Sequence, residues 1–197
     1  LKLEKFAQEG AGAEQVDYTV RQVYPLTNLQ LYFAYVMRGN TTANLPFLYK
    51  LDKRTDLRRL KFAAEQLFEV HPELKAIIQM AEGRYQIIRD DKRKIDIPIV
   101  RLSTVQWEET RKGLLYPYLY GEDENLFHIV IYETDSANYF FFDIAHIMGD
   151  GMTMNVLFED LNQLYLGKAV EPETYTFYEY ILDEKDRDAR GLRTKNE

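Results

Sequence analysis

Apolar residues recur at helical spacing between Leu57 and Phe68. Leu57, Leu60, Ala64, Leu67 and Phe68 share one face and charges fill the other. Asp56 precedes them as a cap; the pattern runs to about residue 70, where His71 ends the helix and Pro72 breaks it. A second helix is expected from residue 28 to about 37, capped by Thr27 and closed by Arg38-Gly39-Asn40. It is apolar on most faces (Leu29, Leu31, Tyr32, Phe33, Tyr35, Val36), which predicts deep burial. A third helix opens at Ser103 and runs to about residue 115. A fourth, residues 152–166, carries Met152, Val156, Leu157, Leu161 and Leu164 on one face and is closed by Gly167.

Strand patterns occupy residues 45–51, 74–80, 84–89, 95–100, 127–132 and 138–144. Glu82-Gly83 reads as a hairpin turn, residues 133–137 as another, and residues 90–94 as a charged loop. Strands and helices alternate irregularly, which predicts an α/β fold: a mixed-sheet sandwich with helices packed on the sheet. Gly10-Ala11-Gly12 and mixed charge make residues 1–22 a loose leader. The folded lobe is expected over 23–182, and the polar stretch 183–197 as a linker or exposed tail.

The 197 residues are 46% hydrophobic and 29% charged, enough for a real core and too apolar for long disordered tracts. A formal charge of −7 makes the chain a poor polyanion binder, so no nucleic-acid partner is expected. The absence of cysteine excludes disulfides, thiol nucleophiles, zinc–thiolate sites and iron–sulfur clusters, and fits a reducing compartment. No apolar run approaches the roughly 18–20 residues of a membrane helix, and residues 1–6 carry no signal-peptide core. A cytoplasmic protein without a membrane partner is therefore expected.

There are three histidines. His71, at a helix C-terminus where a cation is favoured, reads as structural; His128, between Phe127 and Ile129, reads as packing or surface. No HExxH-type spacing supports a metal site, and none is expected. His146 differs. It leaves the strand Tyr139-Phe140-Phe141-Phe142-Asp143-Ile144 at the sheet edge, where pockets form, and an imidazole can take or give a proton at neutral pH. Asp150, four residues on, can brace the turn without touching substrate, and Gly149 and Gly151 admit backbone angles closed to other residues.

The run Ala145-His146-Ile147-Met148-Gly149-Asp150-Gly151 resembles the His-His-x-x-x-Asp-Gly signature of nonribosomal peptide synthetase condensation domains, within the chloramphenicol-acetyltransferase-like superfamily. Three other stretches agree with that family in order. Tyr24-Pro25-Leu26-Thr27 with Gln30 resembles its opening motif. His71-Pro72-Glu73-Leu74-Lys75 resembles its Arg-His-x-x-Leu-Arg motif, and Leu164-Tyr165-Leu166-Gly167 resembles the end of the helix after the signature. The likeness spans about residues 23–180.

The resemblance implies the following. His146 is the catalytic second histidine; Asp150 is mainly structural and pairs with a base, for which Lys75 is the matching residue; Gly151 leads into the helix whose first amides face the reaction centre. Ala145 replaces the signature's supportive first histidine, and Val70 the first arginine of the second motif, the marks of a divergent member. Only the first of two lobes is covered, so a second lobe is expected after Glu197, and the open half-tunnel is expected to expose apolar groups that favour self-association. The implied chemistry is acyl transfer, foremost amide formation between a phosphopantetheine thioester donor on a carrier protein and an amine acceptor. His146 would take the amine's proton, or orient the amine and stabilise the tetrahedral intermediate. No cofactor is bound tightly; carrier-borne phosphopantetheine or coenzyme A enters as substrate. The rival readings are an acyltransferase with an alcohol acceptor and a non-catalytic docking platform for carrier proteins.

Overall fold

The computed structural model describes residues 22–121 and 124–191. The expected leader lies outside the described residues except for its last position. Seven strands and five helices follow in the order β1 Gln22–Pro25, α1 Asn28–Val36, β2 Asn44–Leu51, α2 Leu57–Val70, β3 Ile77–Ala81, β4 Arg84–Arg89, β5 Ile99–Leu102, α3 Thr104–Thr110, β6 Phe127–Thr134, β7 Asn138–Ala145, α4 Gly151–Tyr165 and α5 Phe177–Ala189.

One sheet orders its strands β2-β7-β6-β5. Its β5–β6 pair is parallel and the others antiparallel, so the sheet is mixed as expected. A three-stranded antiparallel sheet, β1-β4-β3, lies beside it. Strand β7 shows why the larger sheet is covered on both faces. Its alternating side chains put Phe140, Phe142 and Ile144 into the core under α2 and α4, beside Leu67, Phe68 and Leu157. Phe141 points the other way, into a cluster with Trp107 and Leu114. The stripe predicted on α2 is the buried face: Leu60, Ala64, Leu67 and Phe68 are inside. Asp56 caps it by accepting from the Arg58 and Arg59 amides.

Several expectations fail for identifiable reasons. Helix α1 buries only Gln30 and Ala34, while Leu29, Tyr32, Tyr35 and Val36 are exposed. Its apolar character belongs to an outer face of the lobe. On α4 the buried residues are Met154, Leu157 and Leu161; Met152 and Val156 are exposed, so the packed face is rotated from the expected one. The strand expected at 95–100 begins only at Ile99, because Ile97 is a core anchor ahead of Pro98 and only Ile99–Leu102 pair with β6. Leu74 and Lys75 belong to a 3₁₀ turn, Pro72–Lys75, before β3. The helix opened by Ser103 ends at Thr110 and continues as a 3₁₀ turn to Gly113.

Within the charged stretch from residue 183, α5 continues to Ala189; Thr176 and Glu179 form its capping box, and Tyr178 and Ile181 anchor it. The hairpin at Glu82-Gly83 is tight, with φ of 50° and 75° at these two residues. Among the described residues no helix is long and apolar enough to cross a membrane.

Candidate active site

Strand β7 ends at Ala145, and the chain turns at once into a 3₁₀ turn, His146–Met148. That abrupt ending delivers His146 to the rim of a cleft of about 290 Å³. Thr27, Leu29, Gln30 and Phe33 form one wall, Met148 to Asp150 and Thr153 a second, and Phe177, Tyr180 and Glu184 a third. The imidazole is half-buried. It lies against the Phe33 ring, with centroids 4.8 Å apart and 21° between planes. Its Nδ1 is sealed from solvent and has no hydrogen-bond partner among the described residues.

The signature loop is fixed from two sides. Thr27 and Gln30 form a capping box at the start of α1, in which the Gln30 side chain accepts from the Thr27 amide at 3.0 Å. Gln30 Nε2 also donates to the Ile147 carbonyl at 3.2 Å, tying α1 to the residue after His146. From the other side, Asp150 is the N-cap of α4. Its Oδ1 accepts from the Met152 and Thr153 amides, both at 2.9 Å, and its own amide donates to Thr153 Oγ1 at 3.2 Å. Hydrogen bonds from Thr153 hold the Asp150 carboxyl below the usual carboxylate range, and the charge of His146 adds a smaller pull.

The expected Asp150–Lys75 pair is not formed. Lys75 is buried, and its ammonium donates to Glu69 Oε1 at 2.7 Å and to the Asp91 carbonyl at 3.1 Å. The 3₁₀ turn after α2 sends this side chain back toward the last turn of that helix, while the Asp150 carboxylate is occupied with the start of α4. The two glycines also differ from expectation. Gly149 has φ near 177°, extended backbone open to any residue; its constraint is space, since an added Cβ would lie 2.6 Å from Thr153 Cγ2. At Gly151 an added Cβ would meet nothing within 4 Å.

Ala145 is fully buried and donates its amide to the Leu126 carbonyl at 2.8 Å. On the same face of β7, two residues earlier, Asp143 sits in a buried polar cluster that the sequence reading missed. Asn44 Nδ2 donates to its Oδ2 at 2.6 Å and the Tyr118 hydroxyl at 3.2 Å. Burial pushes the Asp143 carboxyl up, against the lowering effect of those donors. Asn44 Oδ1, Asp143 Oδ1 and the Tyr120 hydroxyl are buried without partners among the described residues. An aspartate inside a run of phenylalanines was the available signal. Phe33 was legible in a weaker sense, three residues beyond the capping Gln30. Nothing in the sequence pointed to Tyr180 and Glu184 as cleft walls.

The other two histidines are placed elsewhere. His128 Nδ1 lies 3.2 Å from the Leu114 carbonyl, and burial pushes this imidazole down. His71 is buried, with Nε2 2.8 Å from Asp160 Oδ2. A larger, open groove of about 660 Å³ runs along α2, but Lys61 on its wall is already paired with Glu65 and Asp96.

A family model described as Condensation domain matches residues 20–197. The chain belongs to the condensation-domain family. Bacitracin synthase 3 of Bacillus licheniformis is 25% identical over 171 residues, which cover 84% of this chain and 3% of that protein. Surfactin synthase subunit 1 of Bacillus subtilis (strain 168) is 25% identical over 181 residues, 89% of this chain and 5% of that one. The chain thus spans only a small part of these relatives' length. Among solved structures, the condensation domain from Monacolin K polyketide synthase MokA superposes with a TM-score of 0.70 at 15% identity, over 87% of this chain and 40% of that one. The X-domain in complex with OxyB from teicoplanin biosynthesis gives 0.74 at 17% identity, over 89% and 40%. This condensation-type chain has the chloramphenicol-acetyltransferase-like fold of those domains, over the share that one lobe would occupy.

Proposed function

We propose that this condensation lobe supplies the catalytic histidine of an amide-forming acyltransferase in nonribosomal peptide synthesis. The observation that carries the reading is the position of His146 at the cleft rim, held by Phe33 on one side and the Asp150-capped turn on the other. The donor is an acyl or peptidyl thioester on the phosphopantetheine arm of a carrier protein, and the acceptor is an amine on a second carrier or free. The amine nitrogen attacks the thioester carbonyl, the C–S bond breaks, and the amine's proton passes by way of His146 to the departing thiolate. Because Nδ1 is enclosed, Nε2 is the nitrogen turned to this task. Positioned acid–base help of this kind is worth about 10²–10⁴-fold, and alignment of the reactants adds to it. A second lobe beyond Glu197 closes the cleft into a tunnel, and the setting is cytoplasmic. The test is His146→Ala in a chain extended to both lobes: acyl transfer falls at least about a hundredfold, and unchanged transfer removes the proposal. Parallel amine and alcohol acceptors in the same assay decide the acceptor class.

One observation favours the docking-platform reading: Ala145 stands where the signature has its first histidine, and beside it Asp143 on β7 and Asn44 on the paired strand β2 each keep a buried oxygen without a partner among the described residues. Carrier binding without turnover in the two-lobed chain would select it.

A further inference from the structure

A second group of ligand-bearing side chains gathers where α2 ends, and none of them lines the His146 cleft. His71 is its centre, with a side chain only 3% exposed. Its Nε2 lies 2.8 Å from Asp160 Oδ2 on α4; when the ring is neutral, the Nε2–H donates there and the lone pair is on Nδ1. That lone pair faces two carboxylates, with Glu73 Oε1 at 3.5 Å and Glu173 Oε1 at 3.6 Å. These separations are long for charge-assisted hydrogen bonds, which run about 2.7–2.9 Å. They are close to the edge of about 3.3 Å in a tetrahedron of ligands at about 2.0–2.1 Å from a central ion. The three ligand atoms all lie within 4.8 Å of one another.

Two further observations point to a missing positive charge. Glu73 Oε2 is sealed from solvent and has no hydrogen-bond partner among the described residues. Among the described residues, no lysine or arginine forms an ion pair with Glu73, Asp160 or Glu173; each ion pair that they form is with His71. The Glu73 and Asp160 side chains are only 15% and 21% exposed, so crowding their carboxylates with the half-exposed Glu173 around one imidazole is unfavourable without a counter-ion.

We propose that His71, Glu73 and Glu173 bind one Zn²⁺ ion, with water as the fourth ligand. One imidazole with two carboxylates suits zinc, whereas calcium and magnesium prefer larger all-oxygen shells. Asp160 is the outer partner: a carboxylate that takes the far N–H of a zinc-binding histidine fixes its tautomer and orientation. The half-exposed Glu173 gives the ion a way in. The ion is structural. Glu173 stands four residues before Phe177, the start of the helix that walls the His146 cleft, so zinc ties that connection to the ends of α2 and α4.

The test uses the 197-residue chain, stripped of metal with a chelator and titrated with Zn²⁺ by calorimetry and thermal unfolding. One equivalent of Zn²⁺ is expected to bind and to raise Tm by several degrees, with Mg²⁺ without effect. Co²⁺ in its place is expected to give the intense visible bands of a tetrahedral ion. Glu173→Gln, on an exposed side chain, and Glu73→Gln are each expected to keep the fold and weaken zinc at least about tenfold. Equal zinc affinity in both variants and the parent chain overturns the proposal, as does the absence of stoichiometric binding. A His71 ring that carries protons on both nitrogens in zinc-saturated protein at pH 7, read from its ¹⁵N shifts, overturns it too.

Discussion

The imidazole of His146 lies nearly flat on the ring of Phe33, 4.8 Å between centroids. This contact fixes the plane of the imidazole relative to the cleft, because the ring's Nδ1 has no hydrogen bond among the described residues to do so. A ring pair of this kind is worth about 0.5–1.5 kcal/mol beyond its buried area. Replacing Phe33 by Leu keeps an apolar wall and removes the flat surface. The two-lobed chain is expected to keep its Tm within a few degrees and to lose about tenfold in acyl-transfer rate, chiefly in kcat. A loss confined to KM would make Phe33 a substrate contact and not an orienting one.

Gly149 and Gly151 flank Asp150, and the structure assigns them opposite tolerances. A methyl group on Gly149 would collide with Thr153, whose hydroxyl completes the capping box of α4. Overpacking of this kind costs about 1–3 kcal/mol. For a chain of this size Gly149→Ala should lower Tm by about 2–12 °C. A methyl group on Gly151 meets open space at the first helical position. Gly151→Ala is expected to be neutral or to raise stability by about 0.4–1 kcal/mol, through the smaller entropy of its unfolded chain. Thermal melts of the two variants side by side check both.

What the sequence revealed and what it hid follow from the range of the forces involved. Caps and turns are local, and Thr27, Asp56, Ser103 and Gly167 each act within a few residues of themselves, so their elements start or stop where expected. A continuous apolar run between turn residues made β7 readable, and with it the exit of His146 at the sheet edge. Helix α1 was misjudged because apolar character says a face will be covered, not by what; in this lobe Leu29, Tyr32 and Val36 face outward. Lys75 was misjudged for the converse reason. A motif position fixes where a residue enters the fold, but its partner, Glu69, was chosen by the turn that follows α2. The α5 wall was invisible because its contribution depends on how the connection 168–176 leads it back against β1, where Tyr178 meets Tyr24.

Asp143 gives the lobe a pH signature. Burial raises its pKa in the folded state, so between the unfolded value near about 3.9 and that raised value the native chain holds a proton the unfolded chain has released. The sign follows: this group's contribution to stability is largest at low pH and is lost as pH rises through the window. Asp143→Asn cannot ionise and can keep the Tyr118 hydroxyl as a donor. Urea unfolding of both proteins from pH 4 upward should show parent stability falling relative to the variant, then levelling. A difference that does not change with pH would mean that Asp143 has the same pKa in the folded and unfolded states.

Asp150 separates two roles that a carboxylate in this signature can have. If its work is to cap α4, as its bonds to the Met152 and Thr153 amides indicate, a neutral side chain with the same acceptor should suffice. Asn ranks with Asp as an N-cap, and Ala costs about 0.5–2 kcal/mol at such a position. Asp150→Asn is therefore expected to stay within about 0.5 kcal/mol of the parent above pH 5 and to retain most acyl transfer in the two-lobed chain. Asp150→Ala is expected to be less stable by about 1 kcal/mol, with a larger loss of rate because the His146–Met148 turn loses its fixed end. Equal damage in the two variants would show that the negative charge itself is used, and would return attention to a cationic partner for Asp150.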